Sequence, residues 1–169
     1  SQFELFYPKD ADGGVVPIVA MSSLTQLKEN GKFVDKWMGL FHDAEFYNYK
    51  TILTFDESGK MHWSKPEKYF AAYRDIEKET NMCEVEVIRS EQGQGDRLCL
   101  ISRSNSKQMN SLISFSDDEG KSWSEPVEVP AALNGERHKA EYTTDGRLFI
   151  TFRSIERGKK AEENASRKV

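Results

Sequence analysis

The residues Ser116–Trp123 read Ser-Asp-Asp-Glu-Gly-Lys-Ser-Trp and directly follow the apolar run at 112–115. Asp118 and Gly120 are residue types that favour turns, so this stretch predicts a tight hairpin between two strands. We expect the Asp118 side chain to accept backbone N–H bonds inside the turn and Gly120 to take a positive φ. Trp123 is then expected to fold over the turn as an apolar cover.

A second copy of this pattern lies upstream at Thr54–Gly59 and leads to Trp63. The tryptophan is followed by Ser-Lys-Pro in the upstream copy and by Ser-Glu-Pro in the downstream copy. Trp63 and Trp123 lie about 60 residues apart. A shared turn and a shared tail at this spacing indicate an internal repeat of one structural unit.

The repeated pattern resembles the Asp-box, also called the BNR repeat, of the sialidase family. The copy at Ser116–Trp123 is a full match, and the copy that ends at Trp63 carries two additional residues. In that family the box is structural and lies away from the active site. The resemblance implies a β-propeller with six blades in the full protein, of which this chain would form an N-terminal part.

Short apolar runs separated by turn residues continue along the chain and predict an all-β fold. The polar stretch at 24–31 is interpreted as a long turn or short helix, and the charged stretch at 66–80 as a loop that crosses to the next unit. Polar or glycine-containing turns are expected at 90–96 and 145–146, and the segment at 156–164 reads as a loose polar tail. Strands are predicted at 15–21, 32–42, 49–55, just after residue 63, and at 83–88, 97–103, 110–115, 127–129, 139–143 and 147–153.

Equivalent residues of successive cycles lie about 50 to 62 residues apart, which is typical of propeller blades. The chain then holds about two and a half blades, with units at about 15–66, 82–130 and, incomplete, 137–169. The runs at 98–101 and 148–150 are apolar at successive positions, as expected for sheets covered on both faces. A self-contained β-sandwich is the alternative architecture. Because an incomplete propeller exposes sheet edges, we also expect the chain to self-associate.

The composition limits the classes of partner and cofactor. The 169 residues carry a formal net charge of −4, and without a basic excess a nucleic-acid partner is not expected. No apolar run reaches transmembrane length, so no membrane span is predicted. The two cysteines and three histidines lack metal-ligand spacing, so we expect neither a metal nor another cofactor.

The predicted topology places charged residues of all three units at one edge of the sheets. In a four-stranded meander, the start of the first strand and the end of the second lie opposite the box turn. In successive units these positions hold charged or ionisable side chains, and convergent polar groups of this kind are typical of binding sites. The candidate site residues are His42, Asp43, Glu84, Arg103, Arg137, His138 and Arg153.

The sialidase resemblance implies roles for several of these residues. Glu84 matches the glutamate that polarises the tyrosine nucleophile, with Glu86 as a competitor on the same strand. Arg103 and Arg153 match two of the three arginines that bind the sialic acid carboxylate. Asp43 is the candidate acid–base residue. Because two guanidiniums are expected here without an equal number of carboxylates, the edge should select a carboxylate-bearing ligand.

The functional hypothesis is a retaining exo-glycosidase of the sialidase type, acting on sialic acid or another acidic sugar at glycan ends. Two features of that family are missing, because the Arg-Ile-Pro motif is absent and no nucleophilic tyrosine can be identified. A non-catalytic glycan-binding propeller and a repeat scaffold for protein partners therefore remain as alternatives, and the charged residues could also be ion-paired strand ends. The sequence itself gives no compartment, and only the resemblance suggests a secreted or periplasmic protein.

Overall fold

A computed structural model describes residues 23–90, 96–106 and 108–155. These residues form eleven strands in three antiparallel sheets, which confirms the all-β prediction. In each sheet the strands pair in chain order. The short strand β5 also pairs with β3, at the start of that strand, where Tyr49 and Lys50 lie. The first sheet contains β1 (Ser23–Glu29), β2 (Lys32–His42), β3 (Asn48–Phe55), β4 (Met61–Trp63) and β5 (Glu67–Lys68). The second contains β6 (Met82–Arg89), β7 (Leu98–Ser104), β8 (Leu112–Ser116) and β9 (Val127–Glu128), and the third contains β10 (Gly135–Tyr142) and β11 (Leu148–Ser154).

Most strands occur where the sequence predicts them, and the predicted strand at 32–42 has the bounds of β2. The prediction of a turn or helix at 24–31 is wrong, because β1 occupies most of this stretch. The strand pairs with β2 and places Leu27 in the core at 9% exposure. Asn30 and Gly31 then form the hairpin turn with φ values of 51° and 75°, as a two-residue turn with two left-handed residues requires. The predicted strand at 15–21 and the polar tail at 156–164 lie outside the described residues.

The prediction of a loop at 66–80 is also wrong, since this stretch contains β5, a short 3-10 helix (Ala71–Tyr73) and helix α1 (Arg74–Thr80). Phe70 is fully buried and anchors the stretch to the core. Glu77 is 2% exposed and accepts hydrogen bonds from the backbone and side-chain nitrogens of Asn48 at 3.0 and 2.9 Å. Burial raises the pKa of Glu77, against the lowering effect of these bonds. The helix is therefore fixed to the start of β3.

The main core lies between the first and second sheets. It joins Met38 and Leu40 of the first sheet to Val85, Val87 and Leu100 of the second. Further members are Leu27, Phe70, Met82, Leu98, Leu112 and Trp123. The third sheet packs against β6 and β7, so the three sheets follow one another in chain order.

Both copies of the repeated hairpin form the same hydrogen bonds. Asp118 Oδ1 accepts the backbone N–H of Ser122 at 2.9 Å, and Asp56 Oδ1 accepts that of Lys60 at 3.0 Å. The serine after each tryptophan then accepts a backbone N–H of the preceding strand, at 2.9 Å in the first copy and 3.0 Å in the second. These recurring contacts confirm the predicted turns in atomic detail.

The two hairpins differ in what covers them. Trp123 is 7% exposed, with the rings of Tyr69 and Phe70 at 6.0 and 6.3 Å, whereas Trp63 is 42% exposed. The second turn also contacts the first sheet, where Lys50 Nζ donates to the Gly120 carbonyl at 3.0 Å. The second hairpin is therefore part of the joint between two sheets.

Candidate functional site

Antiparallel pairing brings the start of β6 and the end of β7 to one edge of the second sheet. Cys83 lies opposite Arg103, next to Glu84. In the third sheet, Glu136 at the start of β10 lies opposite Arg153 at the end of β11. The two sheets pack with these ends adjacent. We call the resulting group the charged edge: His42, Glu84, Arg103, Glu136, Arg137, His138 and Arg153.

Four ion pairs connect the charged edge. Arg103 Nη1 lies 3.2 Å from Glu84 Oε1, and Arg103 Nη2 lies 2.9 Å from Glu136 Oε1. The other Glu136 oxygen pairs with Arg153 Nη2, and Arg137 Nε lies 3.7 Å from Glu84 Oε1. The side chains of Glu136 and Arg103 are 2% and 15% exposed. Arg103 is therefore held between two carboxylates, one from each sheet.

The expectation of two guanidiniums without an equal number of carboxylates is wrong, because the sequence analysis missed Glu136. Glu136 pairs with both Arg103 and Arg153, so the two partly buried arginines face two carboxylates. Arg137 adds a third guanidinium and is 72% exposed. The ion pairs thus contain three positive and two negative groups. The signal that could have revealed Glu136 is its cross-strand position opposite Arg153.

Both inner strands carry a β-bulge at the charged edge. The register shifts between Cys83 and Glu86 in β6, and again between Glu136 and Lys139 in β10. The bulges give Glu84 and Arg137 positive φ values of 50° and 54°. Such conformations cost on the order of 1–3 kcal/mol each and cluster at functional sites. A bulge also redirects side chains, and here it brings Glu84 and Arg137 into contact.

Two buried histidines flank the ion pairs. His138 is 2% exposed, stacks on Phe152 at 5.1 Å, and its Nε2–H donates to the Leu133 carbonyl at 2.9 Å. His42 is 7% exposed, and its Nδ1–H donates to the Asp43 carbonyl at 2.8 Å. Burial lowers the pKa of each histidine, against the raising effect of backbone hydrogen bonds. Both rings are therefore mainly neutral near pH 7.

Asp43 lies at 3% exposure in the loop that joins β2 to β3. Its Oδ1 accepts the backbone N–H groups of Glu45 and Tyr47 at 3.0 and 2.9 Å. Its Oδ2 accepts the Tyr49 hydroxyl at 3.0 Å. Two of these bonds stay within the loop, and the third ties the loop to β3. Asp43 therefore shapes the backbone beside the charged edge.

Glu86 forms an ion pair with a different residue from those that bind Glu84. Its carboxylate is 9% exposed and lies 2.6 Å from Lys139 Nζ, so it joins the second sheet to the third. At the other end of the second sheet, Arg89 forms two hydrogen bonds of 2.6 Å with Glu119 of the second repeated hairpin (Ser116–Trp123), which we call the second box turn. Lys28 of the first sheet adds a bond from its backbone N–H to Glu119 at 2.8 Å. These contacts hold neighbouring sheets together.

Unpartnered polar atoms concentrate at the charged edge. Within the described residues, seven buried side-chain N or O atoms lack a hydrogen-bond partner, and four of them belong to this group. They are Glu84 Oε2, Arg103 Nε, His138 Nδ1 and Arg153 Nε. Because buried polar groups are normally paired, this concentration distinguishes the edge from the rest of the described structure. Two of the four atoms are guanidinium donors suited to an anionic ligand.

In the described ranges 23–90, 96–106 and 108–155, no group of three or more His, Cys, Asp or Glu side chains is placed to hold a metal ion. Helix α1 has seven residues, and no helix in these ranges has the length and apolar character needed to cross a membrane.

Comparison with known proteins identifies a related fold. No protein-family model and no curated protein matches the chain. Among solved structures, the chain is similar to a crystal structure of a protein of unknown function from Dyadobacter fermentans DSM 18053, with 15% sequence identity and a TM-score of 0.56. The match covers 92% of this chain and 41% of that chain, so this chain spans about two-fifths of its length. The likeness shows a shared fold alone.

Proposed function

We propose that this chain forms part of a sialidase-like β-propeller and that its charged edge binds a carboxylate-bearing sugar. The observation that carries the proposal is the group of three arginines and two glutamates at the edge opposite the second box turn. The repeated Asp-box hairpins and the consecutive antiparallel strands β1–β4 and β6–β9 support the propeller architecture.

The ion pairs prepare the arginines for an anionic ligand. Glu136 contacts both Arg103 and Arg153, which orients the two guanidiniums before a ligand arrives. Each of these arginines has a buried Nε–H group without a hydrogen-bond partner, which a ligand would reach once a neighbouring side chain moves aside. A ligand carboxylate can accept such N–H groups in a planar, charge-assisted geometry. Prior orientation lowers the entropy that binding would otherwise cost.

The sialidase resemblance extends this proposal to hydrolysis by a retaining exo-glycosidase. In that mechanism Glu84 acts as the base toward a tyrosine nucleophile and Asp43 acts as the acid–base residue. The carboxylate of the sugar binds Arg103 and Arg153, with Arg137 at the exposed side. The substrate class is sialic acid or another acidic sugar at the end of a glycan.

A non-catalytic glycan-binding protein is the second candidate, and Asp43 favours it. Both carboxylate oxygens of Asp43 are engaged, one by the loop and one by Tyr49 of β3, and the residue is 3% exposed. A proton donor to a leaving group must reach that group directly or through one water. Asp43 could reach a leaving group only after the loop had changed its conformation.

Calorimetric titration with N-acetylneuraminic acid, glucuronic acid and glucose tests the proposal. We expect the two acids to bind and glucose to bind at least tenfold more weakly, since the charge-assisted bonds contribute roughly 1.5–3 kcal/mol. Arg103→Lys keeps the charge and removes the planar fork, so it should weaken acid binding by roughly 1–3 kcal/mol. Arg97→Lys is the matched control. Arg97 lies just before β7, at the end of that strand away from Arg103, and pairs with Asp117.

Equal affinity of Arg103→Lys and the original chain for both acids would contradict the proposal. Release of 4-methylumbelliferone from its sialoside then separates the two candidate functions. Hydrolysis that is lost in Glu84→Gln supports the glycosidase. Acid binding without hydrolysis, by a protein that also contains a tyrosine nucleophile beside Glu84, supports the glycan-binding protein.

A further inference from the structure

Three bulky or charged residues with a positive φ lie in or against the charged edge, one from each sheet region. Glu84 and Arg137 are the bulged residues of β6 and β10, and Phe46 in the β2–β3 loop has a φ of 59°. Positive φ is uncommon outside glycine and is unusual for a bulky side chain. Asn and Asp, which tolerate this conformation, account for three of the other four such residues in the described chain, and the fourth is Glu119 of the box turn.

Several contacts hold Phe46 in this conformation. Asp43 accepts the backbone N–H groups on either side of Phe46, as described above. Arg74 of helix α1 donates to the carbonyls of Phe46 and Glu45, both at 3.2 Å. Its guanidinium also lies 3.3 Å from the centre of the Tyr47 ring. Strained backbone persists where its surroundings over-determine it, and such strain is often part of a functional site.

The Phe46 ring contacts His42 of the charged edge. It stacks on His42 with a centroid separation of 5.4 Å and an interplanar angle of 10°. His42 pairs with Asn48, whose side chain donates to the Met82 carbonyl, two residues before Glu84. The charges of Glu84 and Arg103 also act on the pKa of His42, which agrees with this placement. Phe46 itself is half-buried, so part of its ring is accessible.

We propose that Phe46, seated on His42, forms an aromatic wall of the acid-binding site and makes it selective for cyclic acidic sugars over open-chain acids. The inference rests on the proposed function, because the arginines supply the carboxylate contact. An aromatic ring offers a flat apolar surface to the C–H face of a pyranose ring, whereas an open-chain polyol presents no such rigid face. The fixed loop conformation would keep this surface in place before binding.

Glucuronic acid and gluconate are matched probes, since both carry a carboxylate and a similar set of hydroxyl groups but only glucuronic acid forms a ring. We expect the 169-residue chain to bind glucuronic acid about threefold to tenfold more tightly than gluconate, the range for an aromatic contact. Phe46→Asn removes the ring with a residue that tolerates positive φ. It should lower glucuronic acid affinity to that for gluconate and leave gluconate affinity unchanged.

Two further variants separate this inference from the proposed function. Phe46→Tyr should retain the ring preference, whereas Arg103→Lys should weaken both acids and keep their ratio. A ratio unchanged in Phe46→Asn, or an equal loss for both acids, would overturn the aromatic wall and leave the proposed function standing. Equal affinity of the original chain for glucuronic acid and gluconate would also overturn the aromatic wall and leave the proposed function standing. Failure of the original chain to bind either acid would overturn both.

Discussion

The packing of the second box turn against the first sheet can be measured by the change Gly120→Ala. Gly120 has a φ of 74°, and a left-handed alanine costs about 1–2 kcal/mol. A Cβ at this position would lie 2.5 Å from Met38 Sδ and 3.0 Å from Met38 Cε. Met38 is 1% exposed, so its side chain cannot move into solvent. Overpacking of this kind costs about 1–3 kcal/mol. We therefore expect Gly120→Ala to lower the free energy of unfolding by about 2–4 kcal/mol. This is less than the largest sum of the two costs, because the flexible thioether of Met38 relieves part of the contact.

Gly59→Ala is the matched control from the first box turn. Gly59 has nearly the same φ, 78°, but an added Cβ there meets no atom within 4 Å. Gly59→Ala should lower the free energy of unfolding by about 1–2 kcal/mol, from the left-handed backbone conformation of alanine alone. The effect of alanine on the unfolded chain is common to both variants and cancels in the comparison. Urea unfolding followed by circular dichroism gives both free energies, provided that the m values agree. Equal losses in the two variants would refute the proposed packing of the second turn.

Three further predictions concern the turn, the histidines and the third sheet. Asp118→Ala should lower stability by about 1–3 kcal/mol, through lost turn hydrogen bonds, and should leave acidic-sugar affinity unchanged. A loss of affinity at constant stability would contradict the placement of this turn and the charged edge at opposite ends of the second sheet. Burial lowers the pKa of His138 below its ordinary value of 6.5, so its contribution to stability is present above pH 6.5 and is lost as the pH falls. His138→Gln should therefore flatten the decrease in melting temperature between neutral pH and about pH 5, and an unchanged decrease would show that other groups cause it. Leu148 and Phe149 are 45% and 61% exposed on β11, the edge strand of the third sheet in the described chain. We expect the chain to associate at rising concentration in sedimentation experiments and Phe149→Lys to reduce this association; a monomer at every concentration would contradict this.

The sequence predicts the parts of the fold whose chemistry is local. The box turns follow from Asp118 and Gly120, because an aspartate acceptor and a left-handed glycine are sufficient to define such a turn. The position of Arg103 beside Glu84 follows from antiparallel pairing of two neighbouring strands. These inferences need no knowledge of how the sheets pack.

The features that the sequence analysis missed depend on contacts between distant parts of the chain. Helix α1 is fixed to β3 by Glu77 and Asn48, which are far apart in sequence. Glu136 enters the charged edge only because the third sheet packs beside the second. The strained conformation of Phe46 depends on Arg74, on a separate helix. Local propensity favours a different backbone at Phe46, and the tertiary contacts override it.

Nuclear magnetic resonance of the arginine Nε–H groups tests the proposed site most directly. Arg103 Nε and Arg153 Nε are buried and unpartnered in the described structure, whereas Arg97 Nε is bonded to Asp117 at 2.7 Å near the second box turn. During titration with glucuronic acid, we expect the Arg103 and Arg153 signals to shift together with one dissociation constant, while the Arg97 signal stays unchanged. Glucose should leave all three signals in place. Unchanged Arg103 and Arg153 signals at saturating acid, or equal shifts of all three, would contradict the acid-binding site.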